Sequence, residues 1–118
     1  MANQTYTKNK LSASTNGKGI LVVATASTGT TIHTAVSGTT SFDEIWIYAY
    51  NGHTATVILT LEWGETTVPN GNCILTLPFQ SGRTLVVDGR LLNNSLLVTA
   101  FASVANVIVI DGFINAIV

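Results

Sequence analysis

Charge is what this sequence has least of: 9% of its 118 residues are Asp, Glu, Lys or Arg, against roughly 25% in an ordinary soluble domain. After residue 18 there are two arginines, Arg83 and Arg90, against the acids Asp43, Glu44, Glu62, Glu65, Asp88 and Asp111. That leaves no basic stripe for a phosphate backbone, so nucleic acid is not an expected partner. Cysteine occurs once, at Cys73, which excludes an intrachain disulfide and a thiolate metal cluster. In the run CILTL it is expected to be a small buried hydrophobe, and a free thiol fits assembly in a reducing cytoplasm. No run approaches the ~20 consecutive apolar residues of a helical membrane span, and no segment shows a convincing amphipathic helical period. A loose imitation of a secretory signal, from Lys8 through GILVV to Ala24-Thr25-Ala26, has too short an apolar core and too long a polar lead. The sequons at Asn3 and Asn93 matter only in a eukaryotic secretory setting, which the composition does not suggest.

What is present is apolar. Hydrophobic residues make up 47% of the chain and the mean hydropathy is +0.43, so the excess must enter one protein core or protein interfaces, and a single small domain has much surface for its volume. The net charge of −1 hides an asymmetry. Lys8, Lys10 and Lys18 give the first 18 residues +3 with no acid, while the two arginines and six acids of the remainder give −4. A basic polar segment on a mildly acidic body suits an acidic partner surface.

Residues 1–19, rich in Asn, Thr, Ser, Lys and Gly, cannot bury enough surface to order themselves and are expected as a flexible basic N-terminal arm. Residues 20–118 are expected as the folded domain. Ile20 to Ala26 and Thr30 to Val36 read as strands. The Asn51-Gly52 dipeptide between DEIWIYAY and the run ending at Trp63 predicts a two-residue hairpin with a type I′ turn. In that register Trp46, Tyr48 and Tyr50 share one face, expected as core, and Ile45, Ile47 and Ala49 share the other, expected to be covered by a second sheet or subunit. Further strands are expected over Asn72 to Leu77, Arg83 to Val87, Leu96 to Ser103 and Asn106 to Val118. About eight strands at spacings of roughly 8–12 residues predict an all-β antiparallel β-sandwich, jelly-roll or immunoglobulin-like, with an extended N-terminal arm.

No catalytic constellation emerges. His33 and His53 have no Asp or Glu at ligand spacing and are expected in structural or solvent roles, so neither metal nor cofactor is expected. Glu62 and Glu65 fail as a glycosidase pair, since one is in a strand, the other is in a loop, and four other acids could be paired as readily. Gly17-Lys18-Gly19 lacks the strand and helix of a phosphate loop. Tyr6 and Trp63 are the expected exposed aromatic contacts. Trp63, Glu65 and Asn70, around the 64–71 loop, are the candidate lip for a surface ligand.

The segments AVSGTTSFDEIWIYAYNGHTATVILTLEWGETTVP and LLNNSLLVTAFASVANVIVIDGFINAIV resemble a family of small virion structural proteins of tailed phages, marine phages in particular, over roughly Thr31 to Val118. The resemblance implies a non-enzymatic head decoration (cement) protein, assembled in the host cytoplasm and located on the outer capsid surface of the virion. Its partners would be the major capsid protein and itself, as a homo-oligomer expected to be a trimer. On that reading Lys8, Lys10 and Lys18 contact acidic capsid residues, and Tyr6 and Leu11 anchor in apolar dimples. Alternatives are a virion fibre or carbohydrate-binding β-module for host attachment, and a tail or neck ring component.

Overall fold

The structure, a computed structural model, describes residues 4–118; the first three residues of the expected arm, with the sequon at Asn3, lie outside it. The described chain contains nine strands and no helix: β1 (Tyr6–Lys10), β2 (Ile20–Leu21), β3 (Thr30–Thr34), β4 (Phe42–Asn51), β5 (Val57–Trp63), β6 (Asn72–Leu77), β7 (Thr84–Leu92), β8 (Leu97–Ala102) and β9 (Ile108–Ile117). They form two antiparallel sheets. One runs β1-β9-β4-β7, with β2 also on β9, and the other runs β3-β8-β5-β6. One core cluster draws on both, including Ile45, Ile47, Ala49, Ile108 and Ile110 from the first and Ile32, Leu59, Leu61, Val98 and Ala100 from the second. The all-β expectation and the two-sheet, sandwich-like arrangement are therefore met.

The Asn51-Gly52 hairpin is not. β4 pairs with β7 and β9, β5 pairs with β6 and β8, and residues 52–56 carry the chain from one sheet to the other. The Asn51 side chain redirects the backbone: buried, its Nδ2 donates to the carbonyls of Ala55 and Leu77, both at 2.9 Å, while its Oδ1 accepts the His53 N–H at 2.8 Å. The Gly52 N–H is taken by the Val107 carbonyl at 2.9 Å. Neither residue has the positive φ that a type I′ turn demands.

Of the two faces of β4, the one with Ile45, Ile47 and Ala49 is covered by the second sheet, one of the two expected covers, but the aromatic face is not the core face expected. Ile45, Ile47 and Ala49 are fully buried, while Trp46 and Tyr48 are half-buried and Tyr50 is exposed on the outer face. A purely aliphatic row has no polar atom to satisfy and fills the core, whereas the indole N–H needs a partner, found on the outer side at Glu44 Oε1, 2.8 Å away. Two glycines let the sheet close around Trp46. A Cβ on Gly112 would lie 2.0 Å from the Trp46 carbonyl oxygen, and one on Gly89, which has a φ of +87°, would lie 3.1 Å from the indole ring.

The basic segment is part of the sheet rather than a detached arm. β1 runs antiparallel to β9 from the pair Tyr6/Ile117 to the pair Lys10/Phe113, and β2 continues along β9 at Ile20/Ile110. Both therefore make one edge, interrupted by residues 11–19. No apolar alternation holds β1, all of whose residues are exposed; main-chain hydrogen bonds hold it, together with Leu11, which is fully buried in the core. Cys73 is exposed rather than buried, because β6 is an edge strand.

Candidate functional site

The cross-strand register builds one continuous outer face on the β1-β9-β4-β7 sheet. Side chains opposite one another lie on the same side, so Lys8, Asn115, Glu44 and Leu91 form one row, Lys10, Phe113, Trp46 and Asp88 a second, and Asp111, Tyr48 and Leu85 a third. At its centre the Trp46 and Phe113 rings stack, with centroids 6.0 Å apart and planes 12° from parallel. The Lys8 ammonium lies 4.2 Å from the Phe113 centroid and the Arg83 guanidinium 3.6 Å from that of Tyr48, so cations sit over the negative faces of both rings. Arg83 Nε also bonds both carboxylate oxygens of Asp111, at 2.8 and 3.0 Å. Around this centre Leu21, Phe42, Tyr50, Leu85 and Leu91 are exposed.

Glu44 is one of three acids on the face, with Asp88 and Asp111. Hydrogen bonds from Asn115 Nδ2 at 3.0 Å and Trp46 Nε1 at 2.8 Å hold its carboxyl below its ordinary value, against a smaller opposing push from desolvation. The face thus combines stacked aromatics, ordered polar groups and a basic margin along β1. This is the composition that supports a protein contact, in which aromatic and arginine side chains carry most of the binding energy.

Apart from this face, a concavity of about 240 Å³ is lined by Thr28, Gly64, Glu65, Thr66, Ser95, Leu96, Leu97 and Thr99. Beside it Glu62 is buried on the outer side of β5, beneath the loop preceding β3. Burial pushes its carboxyl up, but hydrogen bonds from the Ser27 hydroxyl, the Thr99 hydroxyl at 2.7 Å and the Gly29 N–H at 2.8 Å outweigh that and hold it below its ordinary value. Every partner of Glu62 belongs to the framework, and the carboxylate pins that loop to the sheet.

His33 and Asp43 form a second buried pair, with Nε2 and Oδ2 2.7 Å apart. The Ser12 N–H donates to His33 Nδ1 at 3.0 Å, so Nε2 carries the ring proton and donates to Asp43, which also accepts the Val36 N–H at 3.1 Å. The pair ties the chain just after β1 to β3 and β4, which is the structural role expected of His33. Its carboxylate partner, ten residues along the chain, escaped the spacing argument because the two strands belong to different sheets. Among the described residues no three His, Cys, Asp or Glu side chains gather as metal ligands.

The structure therefore brings together Tyr6, Lys8 and Lys10 along one margin of the aromatic face and removes Leu11 from the surface into the core. Lys18 is exposed in the loop between β1 and β2, where its carbonyl accepts the Ser14 hydroxyl. The lip around Trp63 is not formed as expected: Trp63 is buried with Arg90 stacked 4.8 Å from its ring centroid, Glu65 lines the cleft, and Asn70 is exposed in the following turn. What sequence reasoning missed is the Trp46–Phe113 centre, whose two rings are far apart in the chain. Comparison of the chain with protein-family models, with curated proteins and with solved structures found no match.

Proposed function

We propose that the chain is a non-enzymatic virion structural protein, a head decoration (cement) protein that binds the outer capsid shell as a homo-oligomer and clamps neighbouring capsid subunits. Its location on the virion rests on the sequence resemblance. The observation that carries the mechanism is the outer face of the first sheet, where Tyr6, Lys8 and Lys10 border the stacked Trp46 and Phe113. That face offers a rigid aromatic centre and a cationic margin to an acidic, partly apolar shell. Leu11 has no part in this contact; the anchors are Tyr6 and the aromatic rows.

The sandwich is read as a jelly roll. Counting β1 and β2 as one interrupted strand, the first pairs with the last, β3 with β8, β4 with β7 and β5 with β6. This nesting is that of a long antiparallel ribbon rolled on itself, an architecture recurrent in capsid proteins and lectins. It supports the jelly roll over the immunoglobulin-like alternative.

The test is co-sedimentation with bare capsids of the virion concerned. The Lys8→Glu/Lys10→Glu variant changes exposed side chains only, so it should fold normally and lose at least tenfold in capsid affinity, with a weaker salt dependence than the wild type. Unchanged binding refutes the basic margin, and absence of wild-type binding refutes the decoration role. The cleft beside Glu65 favours a second reading, a carbohydrate-binding virion module. Glycan binding that disappears in Glu65→Ala would replace the first reading.

A further inference from the structure

The two sheets leave four edges, along β1 with β2, β7, β3 and β6, and an open edge invites another strand. Three carry recognisable blocks. β1 bears the exposed Lys8 and Lys10. β7 is broken by register shifts opposite Ile45/Trp46 and Ile47/Tyr48 and carries Asp88 and Arg90. The free side of β3 is occupied by its own chain, because Ile32 accepts the Ala13 N–H, Thr34 donates to Ser12 Oγ, and Thr30 Oγ1 accepts the N–H groups of Val23 and Ala24. β6 carries no such device. Its sequence, NCILTL, has neither charge nor proline, its register with β5 is unbroken, and Ile74 is 66% exposed.

The register also fixes which main-chain groups face outward. The Trp63 N–H donates to the Gly71 carbonyl at 2.7 Å, which makes these two a hydrogen-bonded pair. Antiparallel pairs alternate, so Cys73, Leu75 and Leu77 address β5, and Asn72, Ile74 and Thr76 turn their main-chain groups to the open side. The Asn72 N–H is used by the Pro69 carbonyl at 3.2 Å, which leaves Ile74 and Thr76 each presenting a donor and an acceptor outward.

We propose that β6 is the self-association edge, pairing antiparallel with β6 of a second copy about a twofold axis through Leu75. Ile74 of each copy meets Thr76 of the other as a reciprocal hydrogen-bonded pair, and the two four-stranded sheets become one continuous sheet. The occupant is a second copy because the partner edge must itself be open, unbroken in register and uncharged, and among the described edges β6 alone meets that condition. An isologous contact is then self-complementary, with no like charges opposed. On the outer face each exposed Ile58 stands beside Thr76 of its own copy, which in turn faces Ile74 of the other, so isoleucine and threonine alternate across the junction with no charge between them. This deepens the self-association that the proposed function requires, with a twofold pair in place of the trimer expected from sequence, and it leaves the aromatic face free for the capsid.

Light scattering on the full chain, from micromolar to nanomolar concentration, is expected to give twice the 12.4 kDa chain mass at the upper end. Ile74→Pro removes an N–H that serves only the open side, a substitution that edge strands tolerate, and should give a monomer with an unchanged circular dichroism spectrum. A second variant needs no loss of structure to be read. In Cys73→Ser/Leu75→Cys the new thiol meets its copy at a non-hydrogen-bonded position, where Cα atoms lie about 4.5 Å apart, within disulfide range. It should run as a covalent dimer on a non-reducing gel after mild oxidation. A wild-type monomer or trimer overturns the proposal, and so does a dimer that neither crosslinks at position 75 nor responds to Ile74→Pro. A crosslinking dimer that ignores capsids leaves this edge standing and refutes the decoration role, whereas a capsid-binding monomer does the reverse.

Discussion

Leu11→Ala is the sharpest test of where the N-terminal segment belongs. Leu11 is fully buried in the core shared by the two sheets, directly after a strand whose own side chains are all exposed. Truncating a buried leucine to alanine costs about 2–5 kcal/mol, depending on how far the cavity collapses. Collapse is restricted here, because the following residue is fixed: the Ser12 N–H is held by His33 Nδ1 at 3.0 Å and its hydroxyl by the Thr34 N–H at 2.7 Å. A value of about 3 kcal/mol is therefore expected. With a urea slope of about 1.5 kcal/mol/M, typical of small domains, the unfolding midpoint should fall by about 2 M. The assay is urea denaturation followed by tryptophan fluorescence, with protein concentration held constant because self-association shifts apparent stability. Tyr6→Ala is the internal control: 60% exposed on the same segment, it should stay within about 0.5 kcal/mol of wild type. If both variants unfold at the wild-type midpoint, the segment is a detached arm and the placement of Leu11 is wrong. The same reasoning makes deletion of residues 2–18 a poor probe of capsid binding, because it would open the core and bare the main chain of β9.

Two other perturbations address the framework. Glu62→Gln exchanges a buried carboxylate that accepts three hydrogen bonds for an amide whose NH2 faces a hydroxyl donor, and should cost about 1–3 kcal/mol at pH 7. Because the folded protein holds the Glu62 carboxyl below its ordinary value, that contribution is present above the unfolded-state value of about 4.3 and is lost as pH falls through the lower folded-state value. The gap between wild-type and variant urea midpoints should thus narrow below about pH 4, and a gap constant from pH 7 to pH 3 would refute the assignment. Gly112→Ala places a Cβ 2.0 Å from the Trp46 carbonyl oxygen and must force β4 and β9 apart. About 2 kcal/mol or more is expected, read as a melting temperature lowered by several degrees, and a wild-type melting temperature would contradict the close approach.

The strands from β2 to β9 were legible because they are written in local signals, whereas β1 and sheet membership were not, because the partners that decide them are distant in sequence. Asn51-Gly52 illustrates the limit. The dipeptide is a turn signal only if the flanking strands pair, and here β4 finds β9, with Tyr50 opposite Val109, while the Asn51 amide spends its donors on Ala55 and Leu77. The basic character of residues 8–18 was equally plain, but its docking was not. Nothing in the alternation of YTKNK marks a strand, since main-chain bonding to β9 and one buried residue beyond its end hold it in place.

The orientation of β4 shows how close the sequence came to revealing the candidate site. Asp43 and Glu44 stand side by side, so one must face in and the other out. Had Glu44 been known to be the outward one, Trp46, Tyr48 and Tyr50 would have followed it by parity, and the aromatic face would have been found. What decides the matter is His33, whose buried Nε2 bonds Asp43 Oδ2 at 2.7 Å and makes the inward carboxylate tolerable. An acid beside an aliphatic row argues for solvent only when no buried partner awaits it, and here that partner arrives from the opposite sheet. Glu62 repeats the logic on β5, where it has outward parity with Ile58 and Thr60 yet is buried, because the loop before β3 closes over it and supplies two of its three donors. With charges this scarce, the chain still commits two of them, Asp43 and Glu62, to internal fastening. The outer face of the first sheet combines aromatic rings and a lysine margin with the acids Glu44, Asp88 and Asp111, while the open edge at β6 carries no charge.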